Sequence, residues 1–183
     1  MKPVLEQAAR EMRAVLEETR ALLDGLTDEQ FAKAGAGGGW SVGQCLEHLT
    51  ITAWTMNELI DQAIGEGRAR GLRSSDDYRP HFVWRWFLKQ IDAPPAGKKS
   101  RAIQTPDRFD PPPRDPADVV PDFFASHAAF LGKFEAANEV DLKRIKVVSP
   151  FARRLKYPLG LVFLIIPAHV RRHLAQARRA AGE

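Results

Sequence analysis

Apolar residues recur along this chain with the period of a helix, and they rarely alternate as they would in a strand. Between residues 3 and 25, Leu5, Ala8, Met12, Val15, Leu16, Leu22 and Leu23 share one face, with Pro3 in the first turn and Gly25 at the end. A second stripe, Val42, Cys45, Leu46, Leu49, Ala53, Met56, Ile60 and Ile64, predicts a helix opened by Ser41 and running to about Glu66. Gln44 stands three residues after Ser41, which is the spacing of a capping box. A third helix is expected over 117–138, with Val120, Phe123, Phe124, Phe130, Leu131 and Phe134 as its apolar face. The fourth covers about 158–180. Pro167 lies inside it, removes one backbone hydrogen bond, and is expected to kink the helix or reset its start.

The connections carry topological information. The stretch "TDEQFAKAGAGGGWS" (27–41) holds four glycines and reads as a flexible link. About fifty residues, 67–116, separate the second and third long helices. "HFVWRWFLKQI" predicts a short aromatic helix within them. After Ile91 come seven prolines, which rule out a regular helix or central strand. Short loops force antiparallel neighbours, whereas a crossover of this length lets helices two and three run in the same direction. The expected architecture is all-α: a four-helix bundle with a long crossover between helices 2 and 3. It forms one domain over 1–183, with 67–116 as the crossover segment.

Composition narrows the picture. A chain of 183 residues with 44% hydrophobic and 27% charged positions can bury one sizeable core. A single cysteine, Cys45, allows no internal disulfide and favours a reducing compartment; it lies within the apolar stripe and reads as core filler. The N-terminal helix carries acids and arginines throughout, unlike a signal peptide. The longest apolar run, 159–168, is about half of what a bilayer crossing needs. A cytoplasmic protein with no membrane partner is expected. The net charge of +4 concentrates in 143–156 and 171–179, but aromatic and amide side chains are nearly absent among those charges. Nucleic acid is therefore not the expected partner.

The candidate chemistry lies in histidines. His169 and His173 are four apart on the fourth helix, about 40° apart around its axis, the spacing that lets two imidazoles approach one ion. Val162, Ile165, Ile166 and Gln176 share their side, so the pair faces the core, while Arg171, Arg178 and Arg179 fall mainly elsewhere. Arg172 lies about one turn from the pair; it could attract an acidic substrate, but solvent exposure is the favoured reading. On the second helix, His48 edges the apolar stripe. Taken singly, the pair could be core histidines or a surface pair and His48 a half-buried helix residue; two inward histidines and a third on a facing helix together favour a three-ligand metal site, with a coordination position left open for water or substrate. Imidazoles suit zinc, nickel, copper or iron. His127 sits centrally on the third apolar face and is open to three readings: a fourth ligand, a proton donor near the site, or a satisfied core histidine. Gln44 and Gln176 each lie one turn or less from a candidate ligand and could accept a hydrogen bond from its other ring nitrogen. Equally, Gln44 could serve only as a cap and Gln176 only as a polar helix residue. His81 reads as a surface residue, and Trp54, Trp84 and Trp86 as packing. No carboxylate stands out as a general base.

Two stretches, "WSVGQCLEHL" (40–49) and "HVRRHLAQARR" (169–179), resemble the DinB/YfiT-like family of metalloenzymes. Further stretches, "DAPPAGKKSRAIQTPDRFDPPP" and "VVSPFARRLKYPLG", resemble one bacterial subgroup of it. The resemblance implies a crossover four-helix bundle, commonly a homodimer, whose three histidines bind a divalent metal; those roles fall on His48, His169 and His173. Characterised members include thiol S-transferases and isomerases that use a low-molecular-weight thiol. The activity this implies is a metal-dependent transfer of such a thiol to a small-molecule substrate. The alternatives are a metal-dependent hydrolase and a non-catalytic metal-binding or stress-response interaction protein.

Overall fold

The computed structural model of the chain describes residues 1–94, 105–152 and 154–182. Seven helices and one small hairpin follow in the order α1 (Pro3–Asp24), α2 (Asp28–Ala32), α3 (Val42–Ala69), α4 (Phe82–Ile91), α5 (Pro116–Leu131), α6 (Lys133–Asn138), β1 (Lys146–Val148), β2 (Lys156–Pro158) and α7 (Leu159–Ala181). The four long helices are the ones the apolar periodicity predicts. Most of each expected face is buried: Leu5, Met12 and Val15 on α1, Leu46, Leu49 and Ile60 on α3, Phe123 and Phe130 on α5, Val162 and Ile166 on α7, whereas Leu23, Val120, Phe124 and Leu131 are half-buried against this core. The fold is all-α apart from the hairpin.

The long helices pack in a closed ring, α1 on α7, α7 on α3, α3 on α5 and α5 back on α1. Cross-contacts give their directions. Glu47 pairs with Arg114, the Asn57 amide donates to the Ser126 carbonyl, and Asp61 pairs with Lys133. Both partners advance together, so α3 and α5 run in the same direction, as the long crossover allows. Glu11–Arg171 and Glu18–Arg178 advance together likewise, which makes α1 and α7 parallel. Lys2 meets Asn138 while Arg20 covers the Phe124 ring, so α1 runs against the α5–α6 rod.

The elements depart from expectation in several places. The glycine-bearing link is ordered. It contains α2, opened by a capping box in which Thr27 and Gln30 bond reciprocally, and then a tight turn in which Gly35 N–H donates to the Gly39 carbonyl at 2.9 Å. Gly37 and Gly38 have φ of 70° and 78° in that turn, a region that side chains with a Cβ disfavour. The single helix expected over 117–138 is interrupted at Gly132, which keeps right-handed backbone angles but separates α5 from α6. Of the two effects expected of Pro167, a kink or a reset start, the reset does not occur: α7 continues through it as one element. The hairpin was not expected, because its strands of three residues are too short for alternation to register. It pairs Val147 with Tyr157 in antiparallel register.

The crossover contains the aromatic helix where it was expected, as α4. Its residues 95–104 lie outside the described residues. From Asp107 onward it makes one short 3-10 turn, Asp107–Phe109, and then follows the N-terminal half of α3. There Gln44 Nε2 donates to the Pro111 carbonyl, and the buried Glu47 carboxylate receives Arg114 at 2.7 Å. His81 is exposed as expected, but Trp54 and Trp86 are exposed too, at 45% and 62%, and only Trp84 packs, edge-on against Tyr157 and Phe87. No helix among the described residues is long and apolar enough to cross a membrane.

Candidate metal centre

Ser41 caps α3 through the Gln44 backbone N–H, and the Gln44 side chain returns a bond to the Ser41 N–H. This cap fixes the start of α3, and His48 follows two turns inside it, 2% exposed. On α7, His169 and His173 project from successive turns toward α3. His173 is buried and His169 half-buried, its open side facing a cavity. The three rings meet in pairs: centroids are 5.2 Å apart for His48–His169, 4.6 Å for His48–His173 and 4.6 Å for His169–His173. One ligand atom from each lies within 4.8 Å of the other two.

Hydrogen bonding fixes which nitrogens point inward. His48 Nδ1 lies 2.8 Å from the Phe109 carbonyl. A carbonyl only accepts, so Nδ1 carries the proton and Nε2 presents a lone pair. His173 Nδ1 stands 3.1 Å from Gln176 Oε1 and is placed in the same tautomer. Burial holds all three imidazoles neutral. The pKa of His48 is lowered by desolvation, against the bond to Phe109. That of His173 falls to about 3, through desolvation and then the nearby His48 and Arg172. That of His169 lies well below its usual value for the same first reason, reinforced by His173 and His48. Neutral imidazole is the form that ligates a metal.

The set fits a divalent ion in geometry as well. His48 Nε2 and His169 Nε2 are 3.4 Å apart. Two nitrogens bound tetrahedrally at about 2.05 Å would stand about 3.3 Å apart. A carbonyl behind His48 and an amide oxygen behind His173 are the outer acceptors that orient ligand imidazoles and raise their basicity. The arrangement is compatible with a metal-binding site built from three histidines.

The other candidates are placed as follows. Gln176 meets His173 directly. Gln44 is occupied by the Ser41 cap and by Pro111, so its connection to His48 runs through the crossover segment: it holds the stretch whose Phe109 carbonyl accepts the hydrogen bond from His48 Nδ1. His127 is 1% exposed and lies outside the cluster of three ligand atoms. Its Nδ1–H donates to the Phe123 carbonyl at 2.7 Å within its own helix, and desolvation lowers its pKa to about 4. Cys45 is buried, and desolvation pushes its thiol up to about 12, which leaves it unreactive.

The histidines form one wall of a cavity of about 850 Å³. Leu49 and Met56 of α3, Phe87 of α4, Tyr157 of β2 and Ile165 of α7 supply apolar walls, and His127 lines it too. Trp40 closes one side, its ring centroid 4.8 Å from that of His48 and stacked 5.7 Å from that of His173. The glycine turn presents this tryptophan: a Cβ at Gly35 would lie 2.9 Å from the Trp40 carbonyl. Trp40 stands next to the cap in sequence, yet nothing in the helical pattern marks it as part of the site. The arginines also differ from expectation. Arg171 is held by Asp92 and Glu11, and Arg178 by Glu18, but Arg172 and Arg179 line the cavity.

Residues 11–177 match the family model of the DinB superfamily, and the chain belongs to that superfamily. No curated protein and no solved structure matches it.

Proposed function

We propose that the protein is a metal-dependent enzyme whose three-histidine centre activates a low-molecular-weight thiol for transfer to a small electrophilic substrate. The observation that carries this reading is the position of three neutral imidazoles, their ligand atoms within 4.8 Å of one another, on the wall of a largely apolar cavity. A divalent ion such as zinc, nickel or iron supplies Lewis acidity there, favouring the thiolate of a bound thiol at neutral pH. His48, His169 and His173 hold the ion. Phe109 and Gln176 fix the tautomers of two of them, and Trp40 packs against their rings. The apolar walls keep water from the reacting sulfur. In the transfer, the thiol loses its proton to solvent, the sulfur–carbon bond forms, and the electrophile's leaving group departs with the bonding pair.

Superfamily membership supports the metal centre, and thiol transfer follows from resemblance to characterised members. The test is conjugation of glutathione, bacillithiol or mycothiol to chlorodinitrobenzene, followed by chloride release. The reading expects a rate that requires both metal and one of these thiols and is lost in His169→Ala. Metal-dependent turnover of ester substrates without any thiol would favour a hydrolase instead.

A second reading has its own observation. The outer face of α4 exposes Phe82 at 64% and Trp86 at 62%, with Val83 beside them. We infer that this face contacts a partner, a second copy of the chain in the homodimer the family resemblance implies. A cytoplasmic homodimer carrying the metal centre is the state proposed, and light scattering of wild type beside Trp86→Glu tests it.

A further inference from the structure

Among the described residues, His127 is the one member of α5 that lines the cavity, and the three-histidine cluster leaves it unused. Its Nδ1 stands 2.7 Å from the Phe123 carbonyl, one turn back on the same helix. Two bare acceptors do not approach so closely, so Nδ1 carries the proton and Nε2 the lone pair. Ser126 agrees with this assignment. Its hydroxyl donates to the same carbonyl at 2.9 Å, and its oxygen lies 3.1 Å from Nδ1 as a second acceptor. Nε2 points away from these bonds, and no described residue bonds to it. Nor is it one of the polar atoms sealed from solvent without a partner. It therefore opens onto the cavity that His127 lines. The ring is held in that attitude, 1% exposed and 4.3 Å from the Phe123 ring between centroids. The α3 wall supplies nothing that could satisfy a ligand acceptor. Leu49, Ala53 and Met56 are apolar, Thr52 donates its hydroxyl to the Leu49 carbonyl at 3.0 Å, and His48 donates to Phe109. The α3 and α5 side of the cavity thus presents acceptors and no free side-chain donor.

We propose that the ligand of this cavity is an apolar molecule carrying a neutral N–H or O–H group, and that this group donates to His127 Nε2. The inference rests on the reading of the cavity as a substrate site, not on the ion, and it adds the chemical class of the substrate. In the open cavity, water can bond to Nε2. A ligand that displaces this water without replacing its bond leaves a buried lone pair unsatisfied, which costs more than an ordinary hydrogen bond gains. Selection therefore acts mainly against ligands that lack the donor. His127 is on this account a specificity-determining residue and not a fourth ligand.

The test uses two probes of the same bicyclic shape. Indole has one N–H donor and is a poor metal ligand when neutral; benzothiophene lacks the donor. Association constants are measured by calorimetry on wild type and His127→Phe, each zinc-treated and chelator-treated, with metal content and helical circular dichroism recorded. The ratio of the indole constant to the benzothiophene constant is compared between proteins, which cancels the difference in hydrophobicity between the probes. That ratio is expected to fall at least about fivefold in His127→Phe, the worth of one satisfied buried acceptor. His127→Gln, which keeps an acceptor oxygen, is expected to retain part of it. A second measurement needs no variant: the Nε2 nitrogen resonance of His127 in wild type is expected to shift upfield on saturation with indole and to stay in place with benzothiophene. An unchanged ratio in His127→Phe, or a resonance that indole does not move, would overturn the proposal. If metal binds and the ratio is unchanged, the acceptor assignment fails and the metal reading stands. If the ratio falls and no metal binds, the metal reading fails and the donor-selective cavity remains.

Discussion

His48 Nε2 on α3 lies 3.4 Å from His169 Nε2 on α7, across 121 residues of chain. The His48 proton is committed to the Phe109 carbonyl, so its Nε2 is a lone pair, and burial keeps both rings neutral. A divalent ion bound at this point ties α3 to α7, and binding to the native state alone raises stability. Zinc or nickel at a hundred times its Kd is expected to add about 2.7 kcal/mol to the unfolding free energy of wild type and almost nothing to His48→Ala. Chemical denaturation with and without the ion measures both. A gain of equal size in the variant would place the ion elsewhere.

Gln176 fixes His173 through a 3.1 Å bond to Nδ1 and touches the centre by no other bond described. Gln176→Leu keeps the helix and the volume but removes the acceptor. Metal affinity, measured by competition with a chromophoric chelator, is expected to fall about ten- to a hundredfold. Unchanged affinity would make Gln176 simply a polar helix residue.

His127 gives a pH dependence separate from the metal. Burial lowers its folded pKa from 6.5 to about 4, so the unfolded chain binds its proton more tightly. A group of this kind stabilises the fold fully above pH 6.5 and loses that contribution as the pH falls towards 4. In metal-free protein the loss attributable to this residue is on the order of 3 kcal/mol. Urea unfolding across that window should therefore decline more steeply in wild type than in His127→Gln. Parallel declines would mean that His127 takes up its proton in the folded protein without penalty.

The legibility of this fold varied with the strength of the local signal. The long helices were visible because residues such as Leu46, Leu49 and Ile60 repeat over many turns, and Pro167 did not erase that repeat. The orientation of α3 and α5 was visible from crossover length alone. Gly132, by contrast, interrupts a helix while keeping helical angles, so the apolar pattern on either side runs on without a mark. The glycine turn was mistaken for a flexible link because glycine density reports permitted angles, not whether packing selects one set of them. Here the close approach of Gly35 to Trp40 does so.

In the candidate site, the i, i+4 pair was legible because its geometry is local. The acceptors behind the ligands were only partly so. Gln176 lies on the same helix as His173 and could be named, but the Phe109 carbonyl is backbone from the crossover and carries no residue-type signal. Arg179 was assigned to another flank because a helical wheel gives angles around one axis. The cavity that Arg172 and Arg179 line extends beyond that wheel, to α4 and the hairpin.

Elemental analysis of the purified protein, wild type beside His169→Ala, tests the central claim most directly. The account predicts about one equivalent of a divalent transition metal per wild-type chain, and little or none in the variant at equal helical content. Wild type free of metal after purification and after incubation with zinc, nickel or iron would contradict it, as would a variant that retains the full equivalent.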